Sequence, residues 1–276
     1  MVAASMSCGP RANTDWAERF GYASAAFHAF QLNEFGYPTL PTVFAGDTLW
    51  LPFDTGNMVG FTIERASFRT LGFSCDSSVT RRDSGGQVVS ESCVSDPTSV
   101  VVFDREWTAL PVFEFEHASL PGLVGPDLLP GTRFTLDYRT LRLAVDSLQT
   151  PPEVPGFVAM PLVRSPYRPR LILLWGAVRG RQVIVELDTG KSRTTVDRRL
   201  VEDLDLEVTE QGAVLGAIDV GPWRFDVASA RVVDTSGISR GLPARIMIGV
   251  GSDLLQRFVW TVDYAAGRVY VSNPGA

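Results

Sequence analysis

The sequence repeats itself, and this constrains its fold more than any other feature. VELDTGKS at 185–192 answers LPFDTGNM at 51–58, and each DTG aspartate lies 8 positions after a glycine, Gly46 or Gly180, that opens a strand-like run. Farther along, GPDLLPGTRFTLDYRTLRLAV from Gly125 matches GSDLLQRFVWTVDYAAGRVYV from Gly251. The step from the DLL aspartate to the DY aspartate is 10 positions in both. Independent coincidences at matched spacing signal an internal duplication, and a duplicated chain of 276 residues divides into two small lobes.

Within each half the pattern is mainly β. Short runs rich in Val, Ile, Phe, Thr and Trp alternate with turns of Gly, Pro and Asp. Short helices are expected after each DTG, over Glu64–Phe73 and Asp197–Leu206, and again at Asp127–Leu129 and Asp253–Phe258. Closing hairpins are expected over Phe134–Val145 and Val259–Val271, with DYRT and DYAAG as their turns. The three prolines of SLQTPPEVPG read as an extended linker. The expected organisation is a leader of uncertain structure over 1–35, lobes over 36–148 and 156–276, and a Pro-rich linker over 149–155. The fold class is all-β: two related β-barrel-like lobes with the site at their interface.

The halves differ in their middles, with 73 positions between Asp54 and Asp127 but 65 between Asp188 and Asp253. The extra length falls where Cys75 and Cys93 bracket the turn signal Asp83-Ser84-Gly85-Gly86, placed at their midpoint. A hairpin there brings the sulfurs together, either as a disulfide or as two reduced thiols. A disulfide would contribute roughly 3 kcal/mol and imply an oxidising compartment, so an extracytoplasmic location, periplasmic or secreted, is expected. The first residues lack the charged start and apolar core of a signal peptide. Cys8 before Gly9 reads either as the remnant of a lipoprotein cleavage site, hence a lipid anchor, or as a stray cysteine in a tail.

Composition narrows the chemistry. A net charge of −6 argues against a nucleic-acid partner, and no uninterrupted apolar run is long enough for a transmembrane span. With only His28 and His117, a His-rich metal site or a Ser-His-Asp triad has little material. TGKS at Thr189–Ser192 imitates the end of a phosphate-binding loop, but the glycine required at position 185 is Val185. Asp137, Asp263, Asp127 and Asp253 fit hairpin turns and helix caps. Trp50, Trp107, Trp223 and Trp260 fit a core or a cleft wall. No metal or cofactor is expected.

The DTG turns divide their labour physically. Glycine allows a backbone conformation that other residues resist, threonine can tie one turn to its partner, and aspartate is presented at the seam. If Asp54 and Asp188 meet there, roughly 3 Å apart, they cannot both ionise comfortably and share a proton. One carboxylate then deprotonates a held water while the other protonates a carbonyl oxygen.

FDTG, LDTG and the later glycine-plus-DLL segments resemble the pepsin/retropepsin clan of aspartic proteases, over about 40–272. The likeness is greatest to the bacterial family with two lobes in one chain. The resemblance implies an aspartic endopeptidase acting on a peptide or protein substrate, with Asp54 and Asp188 as the catalytic dyad. It implies a mutual hydrogen-bonded grip by Thr55 and Thr189, next to Gly56 and Gly190. It further implies an apolar-apolar-Gly element behind each turn, at Leu123-Val124-Gly125 and, less cleanly, Gly249-Val250-Gly251. The Cys75–Cys93 hairpin, with Ser84, Gly85 and Gly86 at its tip, corresponds to the substrate flap, and Gln211–Asp219 to its shorter counterpart. Both aspartates lie in one chain, so a monomer is expected.

The clan carries Ser, Thr or Ala after DTG, where this chain has Asn57 and Lys191. Asn57 can donate to the outer carboxylate oxygen in place of that hydroxyl. Lys191 either points to solvent on its long stem or turns inward. Turned inward, it favours the doubly ionised dyad and removes the shared proton. That lowers activity, shifts its optimum toward acid, or leaves a catalytically weak or inactive peptide-binding protein.

Overall fold

The computed structural model describes residues 15–82, 88–116, 119–151 and 153–272. Its architecture is mainly β, in two lobes with short helices. The N-terminal lobe holds a five-stranded sheet in the order Gly122–Val124, Phe61–Glu64, Val112–Phe115, Val88–Val94, Ser77–Arg82. A second sheet carries Pro38–Phe44 between its neighbours Gln31–Leu32, Asp47–Pro52 and Thr98–Val102. The C-terminal lobe is built on a seven-stranded sheet with Arg181–Leu187 and Ile246–Val250 at its centre. Every residue from Val183 to Leu187 is buried, as expected for a strand covered on both faces.

The repeat becomes a symmetry axis where the two closing hairpins meet. Arg133–Asp137 pairs antiparallel with Val259–Asp263, and Thr135 stands opposite Thr261. Those residues hold the same place in the repeat (FTLDY and WTVDY), and their hydroxyls are 2.6 Å apart. An antiparallel pair in which equivalent residues face each other has a two-fold axis between them. The six-stranded sheet formed this way joins the halves, and one apolar core runs through both, including Phe53, Phe134, Leu187 and Trp260.

Three expected helices form as shorter pieces, Arg65–Thr70, Arg198–Asp203 and Ser252–Leu255, and the fourth is a 3-10 turn at Pro126–Leu128. Their caps are not those expected. Glu64 caps the first, accepting from Ala66 and Ser67 backbone N–H groups at 2.8 and 3.1 Å, and Asp197 caps the second. Asp253 lies inside the first turn of its helix and instead accepts from the Thr194 N–H and hydroxyl at 3.1 and 3.0 Å. Asp127 likewise sits inside its turn, without a capping role. Asp137 and Asp263 are structural, accepting turn N–H groups from Arg139 and Ala266. Trp223 and Trp260 are buried, but Trp50 is 44% exposed and belongs to no core.

The leader expected over 1–35 is part of the fold from Asp15 onward. The Trp16 indole donates to Asp137 at 2.9 Å, and Phe20 packs edge-to-face with Phe157 and Tyr270, their centroids 4.9 and 5.6 Å away. Phe27–Ala29 then adds a strand to Arg142–Asp146. Aromatic burial outweighs the absence of a strand pattern there. Cys8 lies outside the described residues. The Pro-rich linker packs rather than spans: Val154 is buried and the Thr150 hydroxyl donates to Asp263 at 2.5 Å.

Candidate active site

Each DTG turn follows a strand that ends against an apolar-apolar-Gly element. The Asp54 N–H donates to the Val124 carbonyl at 2.9 Å, and the Asp188 N–H to the Val250 carbonyl at 3.0 Å. Two different segments thus place the two aspartates in the same way. The turns are then tied to each other. The Thr55 N–H donates to the Thr189 hydroxyl at 3.0 Å, and the Thr189 N–H to the Thr55 hydroxyl at 3.0 Å. The hydroxyls in turn donate across the seam to the Leu187 and Phe53 carbonyls, at 3.0 and 2.5 Å. Both threonines are fully buried, so every bond of this lattice forms away from water.

The lattice sets the carboxyl groups within hydrogen-bonding reach of each other. The glycines permit this approach, though not through unusual dihedrals, because neither Gly56 nor Gly190 has a positive φ. A Cβ on Gly56 would overlap the Asp188 carboxylate, and one on Gly190 would overlap the Asp54 carboxyl. What these positions require is the absence of a side chain. The Gly56 and Asn57 N–H groups donate to Asp54 Oδ1 at 2.8 and 3.1 Å, and the Gly190 N–H donates to Asp188 Oδ1 at 2.9 Å. Burial, followed by the neighbouring Asp188, holds the Asp54 carboxyl well above the usual carboxylate range.

Lys191 turns inward. Its ammonium lies 2.6 Å from Asp188 Oδ2 and also pairs with Glu186. Burial opposes its charge, but the two acids hold its pKa above the usual lysine value. The Glu186 carboxyl is pushed up by burial and pulled down by Lys191. Glu186 was not singled out in the sequence, although a signal was present. It is a lone acid in a buried strand two positions before the aspartate, where the first half has Pro52, and it faces a lysine where the first half has Asn57. The symmetry of the turns is broken by this one ion pair.

Asn57 behaves differently from expectation. Its backbone N–H bonds Asp54, whereas its side-chain Nδ2 is buried without a hydrogen-bond partner. Cys75 and Cys93 form a disulfide, with Cα atoms 5.1 Å apart, at the base of a hairpin pairing Ser77–Arg82 with Val88–Val94. Ser84, Gly85 and Gly86 lie outside the described residues. The segment proposed as the flap's counterpart is tied into the fold: Gly216–Val220 pairs with Leu173–Val178 and Trp223–Val227. No helix among the described residues is long and apolar enough to cross a membrane.

No family model matches the chain, and no curated protein matches it. Among solved structures it is similar to basic 7S globulin from soybean, with a TM-score of 0.52 over 90% of this chain and 94% of that one. The two are 11% identical, so the likeness is one of fold. It agrees with the all-β, two-lobed architecture.

Proposed function

We propose that this chain is an aspartic endopeptidase whose dyad is Asp54 and Asp188. One observation carries the reading: two carboxyl groups within reach of each other, held by a buried threonine lattice across a two-fold seam. The ammonium beside Asp188 makes that carboxylate the better seat for the negative charge, and Asp54 keeps the proton. A water between them loses a proton to Asp188 as its oxygen attacks the peptide carbonyl carbon, and Asp54 gives its proton to the carbonyl oxygen. The resulting diol collapses as the C–N bond breaks: one diol hydroxyl returns its proton to Asp54 as the carbonyl re-forms, and the proton on Asp188 passes to the departing nitrogen.

Lys191 alone would draw the shared proton off the dyad, but Glu186 offsets its charge. The local sum of Glu186, Lys191 and Asp188 is one negative charge, as in an unaccompanied dyad. The substrate is a peptide or protein, the working unit is a monomer, and the disulfide supports an extracytoplasmic location.

A second reading is a peptide-binding protein that does not cut. The ion pair on Asp188 favours it, and the structural neighbour bears the name of a globulin rather than an enzyme. Incubation with unfolded peptides between about pH 3 and 7, with and without pepstatin, separates the two. Cleavage by the wild type that is lost in Asp54→Ala and Asp188→Ala supports the peptidase. Binding without cleavage by the wild type supports the second reading.

A further inference from the structure

Beside the Asp54 turn, Asn57 and Met58 face the segment Tyr167–Leu171 of the other half across a recess of about 130 Å³, with Asp127 on its wall. Two buried nitrogens on its lining residues have no hydrogen-bond partner, Asn57 Nδ2 and Arg168 Nη1. Buried donors left unmade lose their hydration without replacement, and most such groups in folded proteins find an acceptor. Two of them at one recess point to an acceptor from outside the chain.

The charge of the lining says which kind. It holds two guanidinium groups, Arg168 and Arg170, against one carboxylate, Asp127. Arg170 is the cation that acts on Asp127, and it rests against the Tyr264 ring, 5.3 Å from the centroid. Arg168 is in surplus: among the described residues no acid lies within ion-pair distance of it, and its longer-range partner Glu186 is already engaged by Lys191. Burial lowers its pKa, as expected for a guanidinium short of both water and a counter-ion. The unmet groups are all donors. A carboxylate, which only accepts, satisfies them with both oxygens, whereas an amide offers one acceptor oxygen and brings two donors of its own. The volume suits a carboxylate on one or two methylenes.

We propose that this recess is a subsite for an acidic side chain of the substrate peptide, bound by Arg168 and Asn57 close to the scissile bond. The placement rests on the peptidase reading, because the Asn57 N–H is bonded to Asp54 itself. A specificity for Asp or Glu beside the cut follows.

The test uses peptides identical except for Glu or Gln at each position flanking the cut, at fixed ionic strength. For the wild type, kcat/KM is expected to favour Glu by about tenfold or more at one position, as a charge-assisted contact provides. In Arg168→Gln the ratio falls to about twofold or less, and Asn57→Ala lowers it in the same direction. Cleavage with no Glu preference at any position overturns the inference, as does a preference that Arg168→Gln leaves unchanged. If the wild type cuts nothing, calorimetry with the same peptides decides separately. Glu-selective binding that depends on Arg168 overturns the peptidase reading and keeps the subsite, and equal binding of Glu and Gln peptides overturns the subsite. Arg168-dependent binding of inorganic phosphate beside equal peptide binding also overturns it, as that behaviour belongs to a small-anion site.

Discussion

Glu186 stands behind Lys191 and pairs with its ammonium, which in turn touches Asp188. The three form a line of acid, base and acid along the end of a buried strand. Because the two outer charges flank one cation, the lysine can sit on the dyad without drawing off its shared proton. Arg168 acts on Glu186 from farther away.

Neutralising either member of the pair is expected to move the pH profile of cleavage in opposite directions. In Glu186→Gln the ammonium is uncompensated, and the alkaline limb, set by loss of the Asp54 proton, shifts to lower pH. In Lys191→Met the dyad loses its cation, which holds Asp54 down, and the alkaline limb shifts to higher pH. Each shift is expected to reach about one pH unit, read from kcat/KM between about pH 2 and 8. Unchanged limbs in both variants would show that the pair is only structural.

Asp54 makes a second pH prediction, for stability. Its carboxyl is raised in the folded protein, so the unfolded chain releases this proton at lower pH than the folded one does. The group's contribution is therefore fully present below the unfolded value, near pH 4, and is lost as pH rises through the folded value. Asp54→Asn is expected to melt higher than the wild type at pH 7, and the gap should close as pH falls to about 3. A gap that widens in acid would contradict the assignment.

Removal of either threonine hydroxyl should be costly, because each accepts one buried N–H and donates to one buried carbonyl. Thr55→Val and Thr189→Val are each expected to lose about 2–4 kcal/mol of unfolding free energy, measured in urea. Thr→Ser at the same position, which restores the hydroxyl, should recover most of it.

Gly56→Ala and Gly190→Ala are expected to abolish cleavage, since each added methyl overlaps the opposite aspartate. Overpacking of this kind costs about 1–3 kcal/mol, so the proteins should still fold. A folded alanine variant with full activity would show that the carboxyl groups do not need their close approach.

The Cys75–Cys93 disulfide closes a short loop, with a sequence separation of 18. Its replacement by serines is expected to lower stability by about 3 kcal/mol in chemical denaturation. An unaltered midpoint would indicate that the hairpin is held by its sheet neighbours alone.

The duplication, the two DTG aspartates, the closing hairpins and the nearness of Cys75 to Cys93 were legible in the sequence. Each is a local pattern or a spacing, and a repeated run of short apolar strands has few ways to close. Direction and partnership of side chains were not legible. Whether Lys191 faced solvent depended on Glu186, which pairs with it across the end of one strand and which only burial makes costly to leave alone. Asn57 read as a side-chain donor to the dyad, yet its backbone does that work, and the residue lines a recess with Tyr167–Leu171, more than a hundred positions away. Asp127 and Asp253 do not cap their helices, and the oxygens of Asp253 are taken by a tertiary partner, Thr194. Sequence alone determined which groups the chain has for chemistry and how they repeat. Tertiary structure decided their charges, because burial and counter-ions come from segments distant along the chain.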